Sequence, residues 1–513
     1  MKKNITLIIT LLLSLFLVSS CTRTKKTDYS EFTKAYNQFI ELATNEFGTQ
    51  HGLSLAVVKD DQIIFEKYHG LADLEKGKMV DENTLFYIAS TTKSFTALAA
   101  LILESKGELD LERSLSEYFP EINFDPSLKA DSITIRNLVQ HTLGIENDAF
   151  IQATAYTGVH NPNMLLKLLS SELTTVNTDA PYGVYGYTNF GYNILSMIID
   201  RELDTNWQAV LDEEIFEPLQ MTHTSAKMSD AEKNGWDVAK PLSQVNPENK
   251  LKSFRLAKKD NTMHAAGGMI TSSRDIARWL IMELNSGKID GNQIFDSKMI
   301  KNSVFPHANQ DRKHGNRKEF GYGYGWESGT TELGDTLISH GGGFVGTHSE
   351  VSFMPSAGLG IVVLANNSTS GRRLGALLSS YAYDYLSGRE DINTYYQKKI
   401  KEKKEEIKEL QGRRKKQLTE RMERKWQLNL AFSNYAGTYT NDLLGSLKIE
   451  HLGNNQLIIE IGNMKSPVAT AYKINSIRVE MTPNNGSIVQ FVVNDGKVKQ
   501  ATFWGQTYTK HID

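Results

Sequence analysis

The run Ser90-Thr91-Thr92-Lys93 places a hydroxyl and an amine three residues apart. The apolar helical pattern that follows ends at Lys106, and Gly107 suits a C-terminal cap, so a helix is predicted here. Residues i and i+3 share a helical face, which would set Lys93 beside the Ser90 hydroxyl. The helix N-terminus and burial both disfavour a charged lysine, and a neutral amine can activate serine as a base. The alternative is a helix cap followed by a surface lysine.

A second candidate group is Tyr187-Thr188-Asn189, which lies in a glycine-flanked aromatic loop. A phenol can carry a proton between the nucleophile and the leaving group, and an asparagine can orient the lysine and the substrate. The alternative is a loop whose tyrosines only pack.

A third candidate group is the run Ser339-His340-Gly341-Gly342-Gly343, between two strand-like segments. Its glycines would let a substrate backbone approach the edge of a strand. A backbone N–H there could join that of Ser90 in an oxyanion hole. The alternative is a glycine-rich hairpin with a structural histidine.

Ser-x-x-Lys, Tyr-x-Asn and His-x-Gly, in that order, resemble the β-lactamase-related serine hydrolases. This family includes class C β-lactamases, DD-peptidases, D-aminopeptidases and esterases. The resemblance covers about residues 35 to 385 and extends to further segments, namely 133–144, 217–221, 266–271 with Arg274 and Asp275, and 321–326. It implies an α+β fold in which helices flank an antiparallel sheet and a helical region is attached.

The resemblance also implies roles for individual residues. Ser90 would form the acyl-enzyme. Lys93 and Tyr187 would share the work of general base and acid, and either of them could take the first proton. Asn189 would bind the substrate amide.

The third motif would supply the remaining contacts. His340 would stand where many β-lactamases have lysine, and Gly342 would belong to the strand that binds substrate. Gly343 would donate the second oxyanion N–H, a contact that is worth about 10²–10³ in kcat.

Two departures from the family pattern matter. A histidine in the third motif is more typical of the peptidase and esterase relatives than of true β-lactamases. Leu143 stands where a small polar residue is usual, and His141, two residues earlier, is interpreted as structural. No spacing of histidine, cysteine or carboxylate residues resembles a metal site, so neither a metal nor another cofactor is predicted.

The N-terminus predicts export and lipid attachment. Lys2 and Lys3 precede an apolar run that ends at Val18, which reads as a signal peptide over residues 1–20. Ser19 and Ser20 then precede Cys21, the only cysteine in the chain, and this resembles the lipobox of bacterial lipoproteins. We therefore expect an extracytoplasmic protein anchored through Cys21 to a bacterial membrane. An ordinary signal peptide is the alternative.

Composition changes divide the rest of the chain. After a tether over 21–30, the hydrolase domain is predicted over 31–388 and opens with a hairpin of strands near 53–58 and 62–68. Residues 389–427 are predicted as a charged helical linker, which Gly412 should interrupt. Between 398 and 425 this linker has thirteen Lys or Arg and six Glu, which predicts a solvent-exposed helix. The alternative is that its basic residues contact anionic lipid. Residues 428–513 read as a small antiparallel meander or barrel that resembles a lipocalin-like domain.

Composition excludes some functions and leaves others open. With 40% hydrophobic residues, 23% charged residues and a net charge of -3, nothing indicates a nucleic-acid partner. The expected partners are a small-molecule or peptide substrate and the membrane, and an oligomer is possible. The sequence predicts a serine hydrolase of a peptide, amide or ester, with a D-amino-acid-containing or cell-wall-derived substrate. A β-lactamase and a non-catalytic penicillin-binding or cell-wall-fragment receptor are the alternatives.

Overall fold

The computed structural model describes residues 27–243, 250–314, 317–483 and 485–511, so the predicted signal peptide and Cys21 lie outside the described residues. The fold has two parts, a hydrolase region and a C-terminal barrel. A long helix joins them. The helices are α1 (Ser30–Glu46), α2 (Thr92–Lys106), α3 (Leu115–Tyr118), α4 (Ile135–Val139), α5 (Asp148–Gln152), α6 (Pro162–Ser170), α7 (Phe190–Glu202), α8 (Trp207–Leu211), α9 (Met228–Asn234), α10 (Ser273–Leu284), α11 (Ser297–Val304), α12 (Ser370–Leu386) and α13 (Ile392–Met422).

An eight-stranded antiparallel sheet forms the centre of the hydrolase region. In spatial order the strands run β3-β4-β5-β6-β7-β8-β1-β2. Their bounds are β1 (Leu53–Lys59), β2 (Gln62–His69), β3 (Ala308–His314), β4 (Arg317–Tyr322), β5 (Glu327–Thr330), β6 (Thr336–Phe344), β7 (Thr347–Met354) and β8 (Leu359–Ala365). The predicted first hairpin is confirmed, with Leu53 opposite His69.

Both faces of this sheet are covered by helices. Along β8, Ile361 and Val363 pack in the cluster formed with α1 and α12, whereas Val362 and Leu364 pack in the cluster that contains α2 and α10. Successive side chains of a strand point to opposite faces, so a continuous run of Ile, Val and Leu is buried on both sides. The predicted α+β class is confirmed.

Two-residue and three-residue strands complete the hydrolase region. The pairs are Leu71–Asp73 with Lys78–Met79, Ile270–Thr271 with both Phe86–Tyr87 and Thr224–Ser225, Ile145–Glu146 with Thr175–Val176, Leu242–Ser243 with Lys252–Ser253, and Lys288–Ile289 with Asn292–Gln293.

Leu143, which departs from the family pattern, is buried in the main core, so the leucine is accommodated as an ordinary core residue.

The helix α13 is continuous over 31 residues, so the prediction that Gly412 interrupts it is wrong. A Cβ at Gly412 would meet nothing within 4 Å, and the cost of one glycine in a long helix is only about 1 kcal/mol. Packing stabilises the first turns of α13, because Tyr396 and Ile400 are buried against the hydrolase region. Lys404 also pairs with Glu46 of α1 at 2.9 Å.

The C-terminal region is a nearly closed nine-stranded antiparallel barrel, as the meander-or-barrel prediction anticipated. The strand order is β12-β11-β10-β9-β17-β16-β15-β14-β13. The bounds are β9 (Gly437–Asn441), β10 (Gly445–His451), β11 (Leu457–Ile461), β12 (Met464–Ser466), β13 (Ala469–Ala471), β14 (Ser476–Thr482), β15 (Asn485–Asn494), β16 (Lys497–Phe503) and β17 (Gln506–Lys510). In the part of the chain that is described, no helix is long and apolar enough to cross a bilayer.

Candidate active site

The nucleophile candidate Ser90 lies in a tight turn that adjoins the start of α2. A 3₁₀ turn over Ala89–Thr91 leads into the helix, and Ala89 has a positive φ of 46°. Such a backbone costs about 1–3 kcal/mol for a residue other than glycine and is often kept at functional sites. The surrounding contacts hold it, since the Ser349 hydroxyl donates to the carbonyl of Ile88 at 2.8 Å. Ser90 itself is half-buried.

Gly342 allows β6 to pass against this turn. A Cβ there would overlap the carbonyl oxygen of Ile88 and the hydroxyl of Ser349, whereas a Cβ on Gly343 would meet nothing within 4 Å. A residue without a Cβ is therefore required at position 342, because two segments of the protein backbone come close together there. Gly343 faces open space. Gly325 has a similar role, because a Cβ there would lie 2.6 Å from the backbone carbonyl group of Lys93.

Lys93 is fully buried in the first turn of α2. Its Nζ lies 3.3 Å from Oγ of Ser90 and donates to Oδ1 of Asn189 at 2.8 Å and to the carbonyl of Ala266 at 2.7 Å. Burial lowers the pKa of Lys93 well below its ordinary value, and the charge of Glu327 opposes this only in part. In a neutral amine two N–H groups can serve Asn189 and Ala266, which leaves the lone pair for the Ser90 proton.

Tyr187 stands over the same amine. The Lys93 Nζ lies 4.9 Å from the centre of the Tyr187 ring. The residue is 40% exposed. Desolvation raises the pKa of Tyr187 above its ordinary value, and a hydrogen bond with Ser90 opposes the shift. The phenol therefore keeps its proton at neutral pH.

His340 belongs to a buried chain of hydrogen bonds. The backbone N–H of Thr188 donates to Nδ1 of His141 at 3.3 Å, so the proton of that neutral ring is on Nε2, 3.2 Å from the Tyr322 hydroxyl. Tyr322 in turn lies 3.2 Å from Nε2 of His340. The His340 Nδ1–H then donates to the carbonyl of Gly341 at 2.9 Å. This single arrangement of protons satisfies all four contacts with both histidines neutral.

The charge of His340 follows from the same surroundings. Burial, followed by the nearby Lys93, lowers the pKa of His340 to about 3. Burial also lowers the pKa of His141 well below its usual value. The third motif therefore presents a neutral ring where a lysine would present a cation.

Two neighbouring cavities adjoin these residues. A cavity of about 40 Å³ is lined by Ser90, Asn189 and Gly343, and a larger one of about 810 Å³ is lined by Tyr187 and His340. Tyr156, Gly343 and Phe344 line both. The wall of the larger cavity also includes Arg414 of α13 and Thr482 and Asn485 of the barrel. The C-terminal region therefore forms part of the active-site cleft.

The structure brings together all the predicted site residues that it describes, namely Ser90, Lys93, Tyr187, Asn189, His340, Gly342 and Gly343. Their catalytic roles remain predictions.

Sequence reasoning missed the Ala266 carbonyl, Tyr322 and Ile88, and it treated His141 as structural although the ring is linked to the site. A carbonyl leaves no signal in residue type, although Ala266 and Tyr322 both lie in segments that resemble the family, 266–271 and 321–326. Among the described residues, no group of three His, Cys, Asp or Glu could hold a metal.

Comparison with known proteins identifies the family. The family model described as Beta-lactamase matches residues 42–379. The chain belongs to the β-lactamase family. This is a family of serine hydrolases, and the match includes every predicted site residue that the structure describes.

Individual relatives agree with this assignment. Protein flp of Staphylococcus aureus (strain N315) is 27% identical over 320 residues, which is 61% of this chain and 59% of that protein. The chain thus spans less than two thirds of that relative's length. Unguisins hydrolase ungD' of Aspergillus campestris (strain IBT 28561) is 25% identical over 373 residues, covering 70% of this chain and 67% of that protein.

A solved structure extends the likeness in fold to the barrel. The octameric penicillin-binding protein homologue from Pyrococcus abyssi has a TM-score of 0.60 at 20% identity, and the alignment covers 93% of this chain and 99% of that one. At this identity the likeness concerns the fold alone. It includes both the hydrolase region and the C-terminal region.

Proposed function

We propose that the protein is a serine hydrolase that acts through an acyl-enzyme on a peptide, amide or ester. The observation that carries this proposal is the Lys93 amine, which is buried, has a lowered pKa and lies 3.3 Å from the Ser90 hydroxyl. A protein that only binds a ligand gains nothing from burying the Lys93 amine beside a serine, because the desolvation is costly. In an enzyme the same desolvation has a function, because an amine that is neutral near the working pH can act as a general base.

We infer an order of proton transfers from the position of Lys93, 3.3 Å from Ser90, and from two opposite pKa shifts that support it. The Lys93 pKa is lowered and the Tyr187 pKa is raised. Lys93 is therefore the first base, which takes the proton of Ser90 as the serine oxygen attacks the carbonyl carbon. Tyr187 then donates its proton to the leaving group, and Lys93 returns its proton to the phenolate. Water attacks the acyl-enzyme by the same steps in reverse.

The oxyanion that forms on the carbonyl oxygen needs fixed donors. Ser90 and Gly343 both line the small cavity, so we assign the oxyanion hole to their backbone N–H groups. Asn189 shares its side-chain oxygen with Lys93 and retains its amide N–H groups for the substrate. One such oxyanion donor contributes about 10²–10³ to kcat.

We propose a D-amino-acid-containing or cell-wall-derived substrate, in keeping with the predicted export and the anchor at Cys21. A peptidase or esterase is favoured over a β-lactamase because His340 is neutral. A neutral ring cannot form an ion pair with the carboxylate that β-lactams carry. A receptor that is acylated slowly, or only binds cell-wall fragments, is the competing function.

One experiment separates these functions. The protein from Thr22 onward is offered a chromogenic cephalosporin, a D-alanyl anilide and a p-nitrophenyl ester, and intact mass is measured after each. Ser90→Ala serves as the test variant, and Ser170→Ala, an exposed serine at the end of α6, is the matched control. We expect turnover of the ester or anilide that only Ser90→Ala abolishes. Turnover that survives in Ser90→Ala contradicts the assignment, and a stable adduct without turnover supports the receptor.

A further inference from the structure

A second buried lysine, Lys258, borders the small cavity that contains Ser90. Lys258 is 5% exposed. Its Nζ donates to the carbonyl of Ala155 at 2.6 Å and lies 3.4 Å from the carbonyl of Thr262. The centres of the Phe344 and Tyr87 rings lie 4.4 and 5.3 Å away. The acyl-transfer steps described above do not use this amine.

The groups around Lys258 can stabilise a positively charged ammonium group, but they carry no negative charge to balance it. Carbonyl oxygens and aromatic faces favour an ammonium group but carry no net charge. Burial lowers the pKa of Lys258 to about 7, which shows that the compensation is incomplete. Among the described residues that line the cavity there is no carboxylate, and the histidine there, His264, donates its Nδ1–H to Oδ1 of Asn193 at 3.0 Å. An anion in this cavity would form charge-assisted hydrogen bonds.

The position of the cavity determines which part of a substrate would occupy it. Tyr187, the proton donor for the leaving group, lines the large cavity, so the leaving group extends that way. Ser90, Asn189 and Lys258 line the small cavity, which is left for the acyl group. A volume of about 40 Å³ equals the space of roughly three waters, at about 10–15 Å³ each, so beside the oxyanion it admits only a small polar group.

We propose that Lys258 binds a carboxylate on the acyl part of the substrate, so that the enzyme selects acyl groups with an anionic substituent close to the scissile carbonyl. The inference rests on the proposed hydrolase function and adds the substrate class. Lys258 is a specificity-determining residue in this account, and it takes no part in the transfer of the Ser90 proton.

The test compares three p-nitrophenyl esters that share one leaving group: the hemisuccinate, its methyl ester and the acetate. The wild type should prefer the hemisuccinate to its neutral methyl ester by tenfold or more in kcat/KM. Lys258→Met should lower kcat/KM for the hemisuccinate by about 10–100-fold, mainly through KM, and change the acetate less than threefold. Lys258→Arg should retain part of the preference because it keeps the charge. If Lys258→Met does not fold, Lys258→Gln replaces it, since its amide supplies uncharged N–H donors in the buried site.

The outcomes distinguish this proposal from the function on which it rests. Equal losses with all three esters, or a wild type without preference for the anion, overturn the role of Lys258 and leave the hydrolase assignment intact. Turnover that survives in Ser90→Ala overturns the hydrolase assignment. Calorimetry with monomethyl succinate on the Ser90→Ala protein then tests the binding site without turnover. Binding that Lys258→Met abolishes is expected, and absence of binding overturns the proposal.

Discussion

The hydroxyl of Tyr322 lies 3.2 Å from Nε2 of His340 and at the same distance from Nε2 of His141. This one side chain therefore connects the strand that carries His340 to the loop that carries Tyr187, through the bond between His141 and the backbone of Thr188. The arrangement fixes the tautomers of both rings. It gives the site a rigid wall opposite Lys93.

Tyr322→Phe should remove the hydrogen bonds that join His340 to His141. The change leaves Nε2 of His340 without its donor and Nε2–H of His141 without its acceptor, at a cost of about 1–3 kcal/mol for each buried group. We expect kcat/KM to fall by roughly 10–100-fold while the overall fold is retained. Steady-state kinetics and denaturant unfolding measure the two effects. Tyr324→Phe is the control, because that hydroxyl contacts Arg136 away from the site. An equal loss of kcat/KM in both variants contradicts a role for the hydrogen bonds that join His141, Tyr322 and His340.

Gly342→Ala and Gly343→Ala form a matched pair. A Cβ at position 342 would overlap the Ile88 carbonyl, so the turn that holds Ser90 must move. We expect a loss of about 1–3 kcal/mol in the free energy of unfolding and a fall of at least tenfold in the rate of acylation. Gly343→Ala should leave the free energy of unfolding unchanged within about 0.5 kcal/mol. Equal destabilisation by the two substitutions would show that the close approach at Gly342 is not the cause.

The lowered pKa of Lys93 predicts a pH effect on stability as well as on rate. Between that lowered value and 10.5, the unfolded chain carries a proton on Lys93 that the folded protein does not. The unfolded state binds more protons, so this residue makes stability rise with pH. The free energy of unfolding of the wild type should therefore increase relative to Lys93→Met from about pH 7 to about pH 10. Urea denaturation at both pH values measures it, and a constant difference contradicts a neutral Lys93.

Glu283, buried in α10, should show the opposite dependence. Burial raises its pKa from 4.5 to about 8, so between these values the folded protein holds a proton that the unfolded chain has lost. Stability then falls as pH rises through this window. Glu283→Gln should be more stable than the wild type by about 4 kcal/mol near pH 8 and by almost nothing near pH 4.5. Glu213→Gln on the exposed surface is the control, and equal pH dependence of the two variants rules the interpretation out.

The barrel wall of the cleft predicts selectivity for substrate size. Asn485 lines the large cavity, whereas Asn494 lies exposed at the other end of β15. Asn485→Trp should lower kcat/KM for a D-alanyl peptide anilide by about tenfold and leave a small acetyl ester unaffected. Asn494→Trp should change neither. If Asn485→Trp affects both substrates alike, the barrel does not act as a steric wall.

The sequence predicted the fold class and the central residues of the site because local patterns encode them. The spacing of three residues brings Ser90 and Lys93 together across the turn that leads into α2, and Gly107 ends the helix with a φ of 73° as a glycine cap should. Contacts between distant segments left no such pattern. The Ala266 carbonyl, Tyr322 and Lys258 reach the site only through tertiary packing. The continuity of α13 through Gly412 was also missed, because packing and ion pairs outweigh one residue's propensity.

In the proposed mechanism Lys93 is the base that activates Ser90, and an exchange of Lys93 for arginine should remove that role. Arginine keeps the positive charge and the donors but is not deprotonated in proteins. We predict that Lys93→Arg folds, binds substrate, and forms the acyl-enzyme with a p-nitrophenyl ester at a rate lower by about 10²–10⁴-fold, measured by intact mass in rapid quench. Acylation of Lys93→Arg at the wild-type rate, or of Ser90→Ala at any rate, would contradict the account.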